Sequence, residues 1–209
     1  MTDHAALMDA TYRRQRHIYD VTRPLFLRGR SRLIRALDPA PEAKILELAC
    51  GTGQNLRAIA RAYPGRALYG LDISSEMLAT AQMKMKGQAL LAKGDATGFD
   101  APALFGTDAF DHVVISYALS MIPDWRGAIG EAMRHLAPGG TLHVVDFGDL
   151  AGWPRTFRTA LTAAVARFHV TPREGLPRAL HEAAQAYGGT ATTTPLARGY
   201  ACAGVVRVP

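Results

Sequence analysis

The chain has 209 residues, of which 48% are apolar and 20% charged, a composition that suits one packed α/β domain with an added helical element. No apolar run approaches the roughly 20 residues that span a bilayer, and the N-terminus lacks the features of a secretory signal, so we expect a cytoplasmic protein. The two cysteines form no CxxC pair and the seven histidines show no metal-ligand spacing, which argues against a metal site or a disulfide framework.

The N-terminal segment carries most of the net charge of +6. Residues 1–35 hold eight arginines and three acidic residues, and the pattern predicts helix over residues 3–37 with a break at Pro24. Such a skewed charge favours an anionic partner, either a membrane or a nucleic acid, although a solvated basic helix would give the same pattern.

Strands and helices alternate from residue 44 onward, which is typical of a parallel sheet with crossover helices. The predicted strands are Lys44–Leu48, Ala67–Leu71, Ala89–Lys93, Phe110–Ser116 and Thr141–Phe147. The predicted helices are Gln54–Tyr63, Ser75–Met85 with Ser74 as its N-cap, and a segment over 124–136. Pro138, Gly139 and Gly140 predict a tight turn into the fifth strand.

The last part of the chain has a different pattern. A helix is predicted over 156–168, followed by two β-rich runs at 190–196 and 200–208 whose short link indicates an antiparallel hairpin. The predicted fold is therefore α/β, with a Rossmann-like sheet of seven strands that is mostly parallel and ends in an antiparallel hairpin, preceded by basic N-terminal helices.

The most informative motif is the glycine-rich stretch Glu47–Asn55, which follows the first strand directly. Gly51 and Gly53 allow a ligand to approach the backbone closely at this strand end. The third glycine of a dinucleotide fingerprint is replaced by Leu56, and no Walker lysine is present. An acid at Glu47 would repel a pyrophosphate but suit a ligand with sulfonium and ammonium groups, so the motif favours S-adenosylmethionine over NAD or ATP.

Four further motifs follow the next strands. Asp72 ends the second strand, where a carboxylate can accept both ribose hydroxyls of an adenosine. Asp95 follows the third strand and suits the exocyclic amine of adenine, with the amide of Ala96 beside it. Ser116 ends the fourth strand, and a proline–glycine turn at 136–140 precedes the fifth.

These five motifs resemble, in spacing and order, the class I S-adenosylmethionine-dependent methyltransferases over roughly residues 44–146, and more weakly through the C-terminal hairpin. The resemblance implies S-adenosylmethionine as cofactor, S-adenosylhomocysteine as product and no metal. It also implies that Met77 packs on the adenine. The cofactor contacts implied by the resemblance are Glu47, Ala49, Gly51, Gly53, Asn55, Asp72, Ile73, Met77, Asp95, Ala96 and Ser116.

The segment ahead of the first strand bears on the substrate. Residues 19–30 contain the string YDxTR…LxGR, which resembles the lid of bacterial phospholipid and small-molecule N-methyltransferases. The fuller string, together with residues 168–173, resembles the methyltransferase of betaine-lipid synthesis, which transfers three methyl groups to the amine of diacylglyceryl homoserine. The nearest alternative is the bacterial phosphatidylethanolamine N-methyltransferase. The resemblance implies a lid and membrane-contact segment over 1–40 and a methyltransferase domain over 41–209.

A lipid substrate requires peripheral association with the inner face of an anionic membrane, which a basic helix provides. The enzyme that makes the diacylglyceryl homoserine is then a functional partner. Arg30 and Arg173 are candidates for holding the carboxylate of the head group. His169, in the same stretch as Arg173, is a further candidate for substrate binding. Tyr19 and Tyr117 are candidates for orienting the amine nitrogen in the catalytic step.

Three other classes use a similar core. Nucleic-acid amine methyltransferases often carry an Asn/Asp-Pro-Pro-aromatic motif after the fourth strand, where this chain has residues 116–120 without it, so no nucleic acid is expected. A quinone-pathway C-methyltransferase or another small-molecule enzyme stays open. A non-enzymatic module would be expected to have damaged cofactor motifs, and here they are intact.

Overall fold

A computed structural model describes residues 29–166 and 170–209. Predictions that fall on other residues, including most of the basic segment 1–40 and the candidates Tyr19 and His169, lie outside this described part. Its helices are α1 (Arg30–Leu37), α2 (Gln54–Ala62), α3 (Ser75–Met85), α4 (Ala101–Phe105), α5 (Trp125–Arg134), α6 (Arg155–Ala166) and α7 (Leu176–Ala186). Its strands are β1 (Lys44–Leu48), β2 (Ala67–Asp72), β3 (Leu90–Lys93), β4 (Phe110–Ser116), β5 (Leu136–Phe147), β6 (Thr190–Leu196) and β7 (Ala201–Arg207).

The seven strands form one sheet in the order β3-β2-β1-β4-β5-β7-β6. The neighbouring strands among β1 to β5 run parallel to each other, whereas β7 runs antiparallel to both β5 and β6. The predicted α/β fold with a C-terminal antiparallel hairpin is therefore confirmed. Because Leu48 pairs with both Leu71 and Ile115, the carboxyl ends of β1, β2 and β4 meet at one edge of the sheet.

Both faces of the sheet are covered by helices, which explains why its central strands are apolar at nearly every position. In β1, Leu46 and Leu48 face a cluster formed with α4, α5 and α7. Ile45 faces the opposite cluster, which includes side chains of α1, α2, α3 and α6. None of the described helices is long and apolar enough to cross a membrane.

The structure contains two helices that the sequence pattern does not predict, and one strand that begins before its predicted first residue. The helix α4 has five residues, too few to show a period, and α7 follows Gly175 with no side-chain cap. The strand β5 begins at Leu136 because that residue already pairs with Phe110, and the register shifts across the glycine pair before Thr141. The predicted turn at 138–140 is thus an irregularity within the strand.

Three polar side chains form a chain across β4 and β5. The Nε2 atom of His143 lies 2.8 Å from Oγ1 of Thr141, which lies 2.7 Å from Nδ1 of His112. His143 is only 2% exposed. Burial, with His112 and Arg207 nearby, lowers the pKa of His143 to about 3.

We expect this imidazole to make stability fall with acid. In the unfolded chain it binds a proton below its ordinary pKa of 6.5, whereas in the folded protein it stays neutral down to a pKa of about 3. The free energy of unfolding therefore falls between these two values as the pH falls, by about 1.4 kcal/mol per pH unit where the difference in proton binding is complete.

The measurement is urea unfolding at pH 7 and at pH 5 for the wild type, His143→Gln and His181→Gln. His181 lies on α7 and is exposed, so its variant should keep the wild-type pH dependence. His143→Gln should show a smaller loss between the two pH values. An equal loss in all three proteins would remove His143 as the cause.

Candidate functional site

The glycine-rich turn connects β1 to α2 at the carboxyl edge of the sheet. Gly51 and Gly53 have φ values of 56° and 73°, a left-handed conformation that glycine adopts without strain. A Cβ atom on Gly53 would lie 3.1 Å from the Cβ of Ala81, so a side chain there would also crowd α3. The turn therefore keeps the backbone of residues 49–53 open at the strand end and α2 close to α3.

A hydrogen-bonded chain of side chains supports this turn. The buried Glu47 accepts through Oε1 from Nδ2 of Asn55 at 2.5 Å. Asn55 in turn accepts through Oδ1 from Nε of Arg30 at 2.6 Å. The sequence assigns Arg30 to the substrate, and the structure brings it to Asn55, where it connects the start of α1 to the carboxylate of Glu47.

The carboxylate of Asp72 also fixes the turn. Its Oδ2 accepts from the backbone N–H of Gly51 at 2.7 Å, and its Oδ1 accepts from the N–H of Ser74 at 2.9 Å. Asp72 is 7% exposed. Two backbone donors therefore hold this carboxylate at the end of β2.

A cavity of about 200 Å³ opens beside Asp72. Its wall brings together five residues that the sequence assigns to the cofactor, namely Ala49, Asp72, Ile73, Asp95 and Ala96. The remaining wall comes from the segment 122–124 after β4, together with Gly94 and Thr97. Asp95 accepts through Oδ1 from the N–H and the hydroxyl of Thr97, at 2.9 and 2.7 Å, which fixes its side chain at the cavity.

Met77, the candidate for packing on the adenine, is buried in α3. The side chain is 2% exposed within α3, and its backbone N–H donates to the hydroxyl of Ser74 at 3.3 Å. In this structure Met77 is a core residue behind the strand ends, and Ser74 caps α3 as the sequence predicted.

Two strand ends hold residues in a left-handed conformation that is unusual for their type. Ala49 after β1 has φ 52°, and Tyr117 after β4 has φ 54°. The N–H of Tyr117 donates to the carbonyl of Val145 at 2.7 Å, and its ring meets the ring of Phe147 edge-on at 4.9 Å. Such conformations persist where the surroundings enforce them, and they are frequent at binding sites.

Ser116 contributes a buried hydroxyl at the end of β4. Within the described part of the chain, its Oγ atom has no hydrogen-bond partner. A buried polar atom without a partner is costly, and a bound ligand would relieve that cost.

The segment after β4 is fixed by two side chains. Asp146 is buried and accepts from the N–H groups of Ser120 and Phe147, at 3.1 and 2.7 Å, and its burial raises its pKa. The guanidinium of Arg173 donates through Nε to the carbonyl of Leu119 at 3.0 Å and through Nη2 to the carbonyl of Ile122 at 2.8 Å. The sequence assigns Arg173 to the substrate carboxylate, and the structure uses it to position the 119–122 segment.

A second, larger cavity of about 1010 Å³ lies beyond the ends of β4 and β5. It is bounded by the segment 148–150, by one face of α6 and by the segment 171–174. The N–H of Thr171 donates to the carbonyl of Ser120 at 2.8 Å, which ties this cavity to the segment after β4. We call it the acceptor cavity. Its charged wall residues are Asp149, Arg155, Arg158 and Glu174, and its threonines are Thr159, Thr162 and Thr171.

The acceptor cavity is not predicted by the sequence motifs, although the chain contains a signal for it. Arg155, Arg158, Thr159 and Thr162 recur at helical spacing and form a polar stripe along α6. The apolar stripe of α6 predicts the helix itself. A polar stripe alone does not distinguish a cavity wall from a solvated face.

The residues at this edge fit S-adenosylmethionine. Glu47 offers a carboxylate near the turn for the positively charged part of the cofactor, and Asp72 offers a carboxylate for a ribose. The first cavity has a partly apolar wall of the kind that an adenine ring needs. In the described residues, no group of three histidine, cysteine, aspartate or glutamate side chains is arranged to hold a metal ion.

Comparison with known sequences matches residues 45–140 to the family described as methyltransferase domain. The chain is 39% identical to the demethylmenaquinone methyltransferase of Thermus thermophilus over 123 residues, which are 58% of this chain and 54% of that protein. It is 34% identical to the demethylmenaquinone methyltransferase of Streptomyces avermitilis over 154 residues, which are 71% of this chain and 63% of that protein. The chain therefore spans between half and two thirds of the length of these relatives.

Solved structures share the fold at low sequence identity. One is a chain of the complex between the Haloferax volcanii Trm112 methyltransferase activator and a methyltransferase, with a TM-score of 0.70, 18% identity, and coverage of 91% of this chain and 93% of that one. Another is phosphoethanolamine N-methyltransferase 2 of Haemonchus contortus in complex with S-adenosylmethionine, with a TM-score of 0.63, 19% identity, and coverage of 80% of this chain and 38% of that one.

Proposed function

We propose that the chain is a class I S-adenosylmethionine-dependent methyltransferase, and that it methylates the amine of a membrane lipid head group. The proposed substrate is diacylglyceryl homoserine, which three successive methylations convert into a betaine lipid. The proposal is supported by the resemblance of residues 19–30 to betaine-lipid methyltransferases and, above all, by the chemistry of the acceptor cavity.

The wall of the acceptor cavity carries both signs of charge. Asp149 and Glu174 can attract an ammonium group, and Arg155 and Arg158 can bind a carboxylate through paired hydrogen bonds. The homoserine head group carries both an amine and a carboxylate on neighbouring atoms. This complementarity is the observation that carries the proposal.

The residues at the strand ends then have separate roles. Bound S-adenosylmethionine supplies an activated methyl group. Glu47 and Asp72 hold the cofactor, and the rigid turn of residues 49–53 fixes its orientation. Tyr117, held in place by its backbone bond to Val145, is the candidate for orienting the amine. An ammonium beside Asp149 or Glu174 can pass a proton to a carboxylate or to water. The nitrogen then has the lone pair that methyl transfer requires.

A second candidate is a quinone-pathway C-methyltransferase. It is supported by the relatives from Thermus thermophilus and Streptomyces avermitilis, which are both named demethylmenaquinone methyltransferases. A quinone ring carries no formal charge, so the four charged wall residues of the acceptor cavity would have no partner in it. This difference in charge makes the two candidates separable by assay.

The test is transfer of a labelled methyl group from S-adenosylmethionine to a panel of acceptors. The panel contains diacylglyceryl homoserine and phosphatidylethanolamine in vesicles, reduced demethylmenaquinone in detergent, and vesicles without acceptor. Label in the homoserine lipid, ending in a trimethylated product, is the expected result. Label in the quinone alone would replace the proposal with the second candidate, and label in phosphatidylethanolamine alone would change the head group.

The variant Arg158→Gln should distinguish the two lipids. We expect it to raise the KM for diacylglyceryl homoserine by about tenfold to a hundredfold, which is the contribution of a hydrogen bond between charged groups. Any activity on phosphatidylethanolamine, whose amine has no neighbouring carboxylate, should change little. Arg178→Gln, on the opposite side of the sheet, is the control. Equal loss on both lipids would mean that Arg158 supports the fold of the cavity and does not bind the carboxylate.

A further inference from the structure

Positive charge is concentrated on the helices at one side of the sheet. The helices α1, α2 and α6 contain no acidic residue, and their arginines are Arg30, Arg32, Arg35, Arg57, Arg61, Arg155 and Arg158. These helices contribute to the same apolar cluster as α3, whose Glu76 and Lys84 carry opposite charges, so they cover the same face of the sheet. We call the outer surface of α1, α2 and α6 the cationic face.

On the opposite face of the sheet, the arginines form ion pairs. The helices of this face, α4, α5 and α7, contain three arginines, and each of these pairs with a glutamate of the same helices. Arg126 and Arg178 both contact Glu182, at 2.9 and 3.2 Å, and Arg134 contacts Glu131. The net charge of +6 is therefore not spread evenly over the fold.

A cleft between α1 and α2 forms the centre of the cationic face. It encloses about 380 Å³, and its charged wall residues are Arg30, Arg57, Arg61 and Lys84, with no carboxylate among the lining side chains. Arg57 and Arg61 are exposed. These two exposed cations make the cleft suited to bind anionic groups.

We propose that the cationic face is the surface that docks onto an anionic membrane. This inference rests on the proposed function, since it names where the substrate is collected. The acceptor cavity lies on the same side, because Arg155 and Arg158 of α6 form part of its wall. A membrane on this face would therefore present lipid head groups at the entrance of that cavity.

Two further observations support a membrane as the occupant. The chain that precedes α1 continues the positive charge, with arginines at positions 13, 14, 16, 23 and 28. In addition, Met83 on α3 is 71% exposed, so a helix on this side of the sheet also presents an apolar side chain to solvent. Cations and an exposed apolar side chain on one side of the sheet suit the boundary between head groups and acyl chains.

The experiment compares two double variants that each remove two positive charges from the full chain. Arg57→Gln/Arg61→Gln changes the cationic face, and Arg126→Gln/Arg178→Gln changes the opposite face. Binding is measured by co-sedimentation with phosphatidylcholine vesicles, with and without phosphatidylglycerol. Since each basic residue near an anionic surface strengthens binding by roughly fivefold, we expect the first variant to bind the anionic vesicles about 25-fold more weakly and the second to bind them like the wild type.

Methylation of a short-chain acceptor, dispersed below its micelle concentration, separates this inference from the proposed function. Arg57→Gln/Arg61→Gln should leave that reaction unchanged, because neither residue lines the acceptor cavity.

Equal vesicle binding by both double variants, or no preference of the wild type for anionic vesicles, would overturn the docking surface even if the short-chain amine is methylated. Conversely, selective loss of vesicle binding without any methylation would keep the surface and reject the proposed substrate. Binding of RNA that is lost in the same variant, with no binding to anionic vesicles, would replace the membrane by a nucleic acid.

Discussion

Replacing Asp72 with asparagine is expected to weaken the binding of S-adenosylmethionine by about a hundredfold, the largest effect that we predict for a single polar substitution in this site. The carboxylate accepts from two backbone N–H groups, those of Gly51 and Ser74. Asparagine has one acceptor oxygen, so its amide group would face one of these donors. The turn would then lose a support, and the ribose would lose an acceptor.

Isothermal titration with S-adenosylmethionine measures this effect, and thermal unfolding without ligand shows how much of it is structural. Asp100→Asn is the matched control, because Asp100 also accepts from a backbone N–H, that of Ala103 at 3.0 Å, but lies at the start of α4. The control should bind the cofactor like the wild type. Wild-type affinity in Asp72→Asn would exclude a ribose contact by this carboxylate.

The variant Glu47→Gln should separate the charge of this side chain from its shape. Glutamine can still accept from Asn55 through its carbonyl oxygen, so the chain that begins at Arg30 is kept. The negative charge beside the cofactor is lost. We expect S-adenosylmethionine to bind at least about tenfold more weakly, and S-adenosylhomocysteine, which has no sulfonium charge, to lose less affinity.

The ratio of the two affinities is therefore the informative quantity. Glu131→Gln is the control, because Glu131 is also buried, at 3% exposed, but lies on α5 and pairs with Arg134 and His135. It should reduce stability without changing the ratio. An equal loss of affinity for both ligands in Glu47→Gln would show that this carboxylate acts on the shared ammonium group or on the turn, and not on the sulfonium.

The sequence was sufficient for the sheet because its strands have apolar side chains on both faces. The predicted bounds of β1, β4 and β6 agree with the structure to the residue, as do those of α3 with its cap at Ser74. Parallel strands align their carboxyl ends, so the acids after β1, β2 and β3 could be expected at one edge from their order alone. The short α4 and the uncapped α7 have weak local signals and depend on tertiary packing.

The contacts within the site were less predictable because they join distant parts of the chain. The bond between Arg30 and Asn55 spans 25 positions, and those from Arg173 to the carbonyls after β4 span 54 and 51. An arginine in a sequence indicates positive charge but not whether its partner is a carboxylate or a carbonyl. Likewise, the left-handed conformation of Tyr117 is imposed by its neighbours and has no signature in its own residue type.

The strand order has a consequence for synthesis of the chain on the ribosome. The strand β7 is the last of the seven along the chain, yet it lies between β5 and β6. Until residues 201–207 emerge from the exit tunnel, β5 keeps an unpaired edge with Val144 and Val145, and β6 has no neighbour to join. Such an edge can pair with other nascent chains, so completion of this sheet waits for β7 and is the step most exposed to misassembly.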